Sequence, residues 1–360
     1  MSLGARLHLL PAALLALSGC TVTPLLPYAT DTPPLVLVPA AQAGVNDQRG
    51  RFREVYCAVL AARPADTPDH RPCEEALTRV GTEPAASGKP VVLGAARRPF
   101  KALVVPGIGY ECIEPWLKSA GEGREELRRR GFEFGVLRVA ALSSSAFNAT
   151  QVRDAVLALP PQSGSPRLVL VGYSKGIADI LEALVAYPEM RKHVAAVVSV
   201  AGAVGGSPLA NDAEQYMADQ MRHFPGARCG PGDGGAVHSL RPGPRLAWLA
   251  ANPLPRDVRF YSVVTYPSPD RISAILKPSY NKLSEVDARN DSQVIFSDQV
   301  VPGSTLLACI NADHWAVAVP LSRTHPTLAS VFVTQNAYPR EALLDAVLRY
   351  IDEDLAAALH

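Results

Sequence analysis

From residue 100 onward, short apolar runs alternate with stretches whose apolar residues recur every three or four positions. The first kind reads as strands buried on both faces, the second as helices with one buried stripe. Strands are predicted at "KALVVPGIG" (101–109), Phe134–Val139, "RLVLVG" (167–172), "VAAVVSVAG" (194–202), "VRFYSVVTY" (258–266) and "STLLACIN" (304–311). Helices are predicted at "ATQVRDAVLAL" (149–159), over 175–186 on Ile177, Ile180, Leu181, Leu184 and Val185, and after Pro339 on Leu343, Leu344, Val347, Ile351 and Leu355. Strand and helix in alternation point to an α/β domain with a mostly parallel central sheet and helices on both faces.

Two regions depart from this rhythm. Residues 45–95 give a helix from about Gly50 to Ala62 and then loop, which reads as an accessory flap ahead of the main domain at 96–360. Residues 205–257 are rich in Gly, Pro and polar residues, as in "FPGARCGPGDGGAVHSLRPGP". An insertion here lies over the carboxyl edge of a parallel sheet, where α/β ligands bind, so it is expected to form a partial cap.

The N-terminal 44 residues carry a different pattern. Arg6 precedes an apolar stretch over residues 7–17, too short for a spanning helix and right for an export signal. Leu17-Ser18-Gly19-Cys20 resembles the lipobox of bacterial lipoproteins. That resemblance implies removal of residues 1–19, acylation of Cys20 and anchoring by lipid rather than by a helix. Thr21 in place of Asp implies the outer membrane, with the protein in the cell envelope facing the periplasm. Residues 20–44, with Pro24, Pro27, Pro33, Pro34 and Pro39, read as an extended tether.

Charge narrows the partners. Net charge is +1 and no basic cluster interleaves with aromatics, so nucleic acid is not expected, and a monomer is. Five cysteines remain after Cys20, an odd number in an exported chain. Cys57 and Cys73 form the first candidate disulfide, in a polar segment that needs stapling, and Cys112 with Cys229 the second. Cys309 lies inside an apolar strand and is expected as a buried free thiol. No Cys-x-x-Cys or His-x-x-x-His spacing supports a metal, and no cofactor is implied.

The candidate chemistry lies at Gly172-Tyr173-Ser174-Lys175-Gly176, a G-x-S-x-G run between a buried strand and an amphipathic helix. A sharp strand-to-helix turn lifts the serine hydroxyl clear of the sheet, and flanking glycines let backbone approach it. With this motif in this place the chain resembles the α/β-hydrolase superfamily, and within it bacterial serine esterases and triacylglycerol lipases. The resemblance implies a serine hydrolase of carboxylic esters in which a base activates the nucleophile. Among eight histidines, His314 has the address the superfamily uses, in the loop after the last strand. Asp270, Asp287, Asp291 and Asp298 are candidates for the acid. "ARNDSQVIFSDQVVPGS" resembles the N-D-G-x-V segment around the acid of those lipases, with Ser292 for Gly, which favours Asp291. The oxyanion donors are expected to be the backbone N–H groups of Lys175 and Ile108, with Gly109 as alternative to the latter. "VVPGIGYEC" resembles the H-G-x-x-G loop of lipases, with Pro106 for His. "VAGAVGGSPLAND" is similar to their P-H-R-G-S-x-x-A-D segment without its His-Arg. The Lys175 side chain is expected along the helix surface in solvent. The same residues leave open a polyester depolymerase, a thioesterase, an amidase, or a non-catalytic envelope lipoprotein using the fold for binding.

Overall fold

The computed structural model describes residues 44–357 except 65, 66, 68, 97, 99, 115–124, 126, 160–167, 214–228 and 231. The expected signal, Cys20 and nearly all of the tether lie outside the described residues. Seven strands form one sheet: β1 (Asn46–Asp47), β2 (Lys101–Val105), β3 (Glu133–Val136), β4 (Leu168–Tyr173), β5 (Val194–Val200), β6 (Arg259–Thr265) and β7 (Thr305–Ile310). Their spatial order is β1-β7-β6-β5-β4-β2-β3, and every neighbouring pair is parallel.

The chain runs from β2 outward to β3, then crosses back to place β4 on the other side of β2. Strand order therefore reverses between β2 and β4, the place where open α/β sheets bind ligands beyond their strand ends. Pro106–Gly109 follow β2 and Ser174 follows β4, so both candidate loops emerge at this switch point.

The helices that frame the core and the site are α1 (Arg49–Ala61), α2 (Tyr110–Ile113), α3 (Ser145–Leu157), α4 (Lys175–Ala186), α5 (Pro242–Ala251), α6 (Lys277–Ser284) and α7 (Arg340–Ala357). One face of the sheet packs Ala102, Val169 and Val171 against α1 and α7. The other packs Leu103, Val105 and Leu170 against α3, α4 and Leu249 of α5. Alternate residues of β2 and β4 serve opposite faces, as the two-residue period of a strand requires.

Two expectations change. The 45–95 segment is no flap: β1 pairs with β7, and Phe52, Tyr56 and Val59 of α1 are fully buried against the C-terminal helix. The cause is visible in the spacing of Phe52, Val55, Tyr56, Val59 and Leu60, a continuous apolar stripe that must be covered. The strand expected over 134–139 is Glu133–Val136: Leu137 N–H makes a last bond to Val104 O (2.8 Å), and Val139 beyond it is buried without being part of the strand. Within the insertion, α5 packs into the body through Leu249 and Arg245, while residues 214–228 of the expected cap lie outside the described residues.

Disulfides join Cys57 to Cys73 and Cys112 to Cys229, and Cys309 is a buried free thiol, its pKa pushed up to about 12 by burial. The first staples α1 to the segment after it, and the second ties α2 to the insertion. Among the described residues no helix is long and apolar enough to cross a membrane.

Candidate active site

Strand β4 ends at Tyr173 and α4 begins at Lys175, leaving a single residue to make the turn. That residue, Ser174, has φ 54° and ψ −124°. A non-glycine residue held there stores about 1–3 kcal/mol of backbone strain, sustained only when its surroundings over-determine it. They do: its N–H donates to Val200 O (3.2 Å) and its carbonyl accepts from Ala203 N–H (3.0 Å). Glycine is needed on both sides of the contact. A Cβ on Gly176 would lie 2.0 Å from Val105 O, and one on Gly107 would lie 2.8 Å from Ser174 Cβ.

His314 follows β7 after a three-residue loop. Its Nε2 lies 2.9 Å from Ser174 Oγ and its Nδ1 2.8 Å from Asp291 Oδ2. Ser174, His314 and Asp291 are 7%, 3% and 0% exposed, so the chain of hydrogen bonds runs from a nearly covered hydroxyl to a carboxylate sealed from water. Asp291 Oδ1 accepts from the N–H groups of Gln293 (2.9 Å) and Val294 (2.8 Å), and Oδ2 accepts the Thr265 hydroxyl. Those donors hold the carboxyl group in place and leave Oδ2 aimed at the imidazole. His314 N–H also donates to Asp291 O (3.0 Å), fixing the two loops to each other by main chain as well.

Two supports of His314 have no motif of their own. The Tyr173 hydroxyl donates to His314 O (2.8 Å); burial, with the Asp291 and Asp313 charges, drives its pKa far above the ordinary phenol value and keeps it a donor. Asp313 accepts from Trp315 N–H (3.1 Å) and Ala316 N–H (2.9 Å) through Oδ1, and from Ser273 N–H (2.9 Å) through Oδ2. It closes the loop just past the imidazole. An Asp followed at two and three residues by backbone donors is a turn signal readable from sequence, whereas the partner at Ser273 is not.

The other acid candidates are placed elsewhere. Asp270 is 76% exposed and lies near Arg271. Asp287 holds Arg289 at 2.7 Å. Asp298 abuts Gly205, and burial, with the Asp287 charge adding, pushes its pKa up to about 7.

Of the candidate oxyanion donors, Lys175 N–H is the first of α4, where no intrahelical acceptor exists. Gly109 N–H donates to Ala141 O (3.3 Å), so this alternative donor already has an acceptor. The Lys175 side chain is not in solvent: it is 1% exposed, with Nζ 2.6 Å from Asp179 Oδ1. Its helix face is covered by α3, and Asp179 one turn on supplies the counter-charge.

Behind Tyr173 lies an apolar cavity of about 180 Å³, walled by Val104, Pro106, Val200, Val317 and Leu343 among others. It lies under the His314 loop, on the sheet face opposite α4. Among the described residues, no cluster of His, Cys, Asp or Glu is arranged to hold a metal ion. The arrangement can take a proton from a hydroxyl and steady the resulting imidazolium.

A metagenomic carboxyl esterase of known structure is 40% identical to this chain, with a TM-score of 0.80, covering 90% of this chain and 97% of that one. A Bacillus licheniformis lipase in its mature form is 19% identical, with a TM-score of 0.49, covering 63% of this chain and 89% of its own. A phospholipase, PlaB from Legionella pneumophila, is 14% identical, with a TM-score of 0.36, covering 56% of this chain and 45% of its own. No protein-family model and no curated protein matches the sequence.

Proposed function

The chain belongs to the α/β-hydrolase superfamily, and from that membership we propose that it is a serine hydrolase of carboxylic esters. The observation that carries the reading is the unbroken line Ser174 Oγ, His314 and Asp291 Oδ2, with its two contacts at 2.9 and 2.8 Å, at a strained strand-to-helix elbow.

In this reading His314 Nε2 takes the Ser174 proton as Oγ attacks the ester carbonyl. Asp291 holds the Nδ1–H tautomer and stabilises the imidazolium. Negative charge gathers on the former carbonyl oxygen, where the N–H groups of Lys175 and Ile108 receive it; one such donor contributes about 3 kcal/mol to the transition state. His314 then returns its proton to the leaving alcohol. A water, deprotonated by the same imidazole, attacks the acyl-enzyme and releases the acid with Ser174 restored. The 40% identity to a carboxyl esterase favours an oxygen ester over an amide or thioester.

The lipobox-like Cys20 supports anchoring of this activity to the envelope by lipid. Metabolic labelling with a palmitate analogue, lost in Cys20→Ala, checks that part.

Hydrolysis of p-nitrophenyl butyrate by the purified protein tests the activity, with Asp270→Asn as a control in which turnover stays within about twofold. No hydrolysis of any p-nitrophenyl ester, with p-nitroanilides or thioesters cleaved instead, would overturn the ester assignment.

A further inference from the structure

Helix α4 buries Ile177, Ile180, Leu181 and Leu184 in the core, and also carries Lys175, Asp179 and Glu182 at spacings of four and three. The first two of these charges are not at the surface. Lys175 and Asp179 are 1% and 0% exposed. Lys175 Nζ sits 2.6 Å from Asp179 Oδ1, and Asp179 Oδ2 accepts Asn148 Nδ2 from α3 at 2.8 Å. Glu182 takes Arg245 of α5 at 3.0 Å.

Stability alone does not account for the Lys175–Asp179 pair. Removing both charges from water is costly, and a buried ion pair is often no more stable than apolar residues of similar volume. The order is adverse as well. A cation in the first turn and an anion one turn later oppose the helix dipole, and this is the weaker orientation for an i, i+4 pair. A buried feature that breaks local rules twice points to a role in the site beside it. Lys175 directly follows Ser174, and its peptide N–H is the first of the helix.

We propose that the buried Lys175–Asp179 pair is a positioning device for the oxyanion site. It clamps the first turn of α4, so that the Lys175 N–H keeps its aim as charge develops, and it sets a cation at the end of the helix nearest the nucleophile. Asn148 locks the carboxylate from the neighbouring helix, so the clamp does not rely on one contact. The proposal rests on the reading of Ser174 as nucleophile. Neither side chain touches substrate; both act through the Lys175 peptide.

Two double variants test it: Lys175→Met with Asp179→Leu, which replaces the pair by apolar residues, and Lys175→Gln with Asp179→Asn, which keeps polar contact without charge. The readouts are Tm, kcat and KM for p-nitrophenyl butyrate, and Ki for an alkyl boronic acid, whose tetrahedral adduct is anionic. The expected result is a folded protein with kcat lowered about 30-fold, KM moved less than about twofold, and Ki raised by the same factor as kcat falls. A merely structural pair would move Tm and leave kcat and Ki of the folded fraction at wild-type values. That result in either variant overturns the proposal, as does a fall in kcat without a matching rise in Ki. If one variant does not fold, the other carries the same test. Turnover that survives Ser174→Ala takes down the nucleophile reading and this proposal with it. Loss in Ser174→Ala beside full turnover in a double variant takes down the proposal alone.

Discussion

The elbow at Ser174 and the excursion that carries Asp291 do the same job, each holding one side chain at an end of a hydrogen-bonded line, and they do it by opposite means. The elbow is built from apolar packing and close backbone approach. A buried strand, an amphipathic helix and glycines at contact distance force Ser174 to φ 54°. The excursion is built from polar groups sealed away from water. Asp291 is gripped by Gln293 N–H, Val294 N–H and the Thr265 hydroxyl, while Asn290 Oδ1 accepts from Ser292 N–H at 2.9 Å. Gln299 brackets Thr265 by accepting its N–H (2.7 Å) and donating to its carbonyl (2.9 Å). Packing fixes the serine in space and leaves its hydroxyl free to face His314. A polar cage fixes a carboxylate by giving its oxygens donors, which apolar packing alone cannot supply.

The largest way to break the comparison is at Ser174, the proposed nucleophile. Ser174→Ala is expected to lower kcat by at least about 10⁴-fold with Tm nearly unchanged, because the elbow does not depend on the hydroxyl. At the other end of the line, Asp291→Asn is expected to cost about 10³- to 10⁴-fold in kcat by releasing the imidazole tautomer. Asp270→Asn, at an exposed position, serves as the comparison and keeps its activity.

The two regions were also unequally legible. The elbow announces itself because its determinants are local: four apolar residues, a glycine-boxed serine and helical spacing all lie within about one strand and one helix. His314 was placed by its distance from the last strand. The acid was harder, since Asp270, Asp291 and Asp298 are all loop aspartates and differ only in what long-range folding brings to them. A family-like segment singled out Asp291; nothing in its spacing to Thr265 did. Lys175 was misplaced because a charged residue at a helix start is ordinarily solvated, although Asp179 at i+4 was a visible signal of a buried partner. The helix at 49–61 was recognised but its place in the core was not, because covering by the C-terminal helix joins residues about 300 positions apart, as in Arg51 with Glu353 (2.7 Å).

Packing in the elbow predicts intolerance to a single methyl. Gly176→Ala puts a Cβ 2.0 Å from Val105 O, which neither backbone can relieve locally. A loss of about 4 kcal/mol or more is expected, read as failure to fold or a large drop in the urea midpoint.

The polar excursion predicts smaller, tunable effects. Asp298 ionises near pH 3.8 in the unfolded chain and near 7 in the folded one. Between those values the native state holds a proton that the unfolded chain has released, so stability contributed at low pH is lost as pH rises through 7. Asp298→Asn removes that dependence, and its Tm is expected to gain on wild type from pH 5 to pH 8. A constant difference across that range would contradict it.

The smallest effect is a stabilisation. Ser292 has φ 83° and a buried hydroxyl Oγ without a hydrogen-bond partner. Ser292→Gly relieves both and is expected to add about 1 kcal/mol, or about 3 °C in Tm, with kcat retained. The same change in the elbow's neighbourhood, where each position is close-packed, has no equivalent.

The most direct test of the account is covalent labelling of the nucleophile. A fluorophosphonate is incubated with the folded protein, and the adduct is located by peptide mass spectrometry. One phosphonyl group per chain is expected, on Ser174, with activity lost in proportion and labelling slowed strongly in His314→Ala. Complete inhibition with Ser174 unmodified, or labelling at full rate without His314, would contradict it.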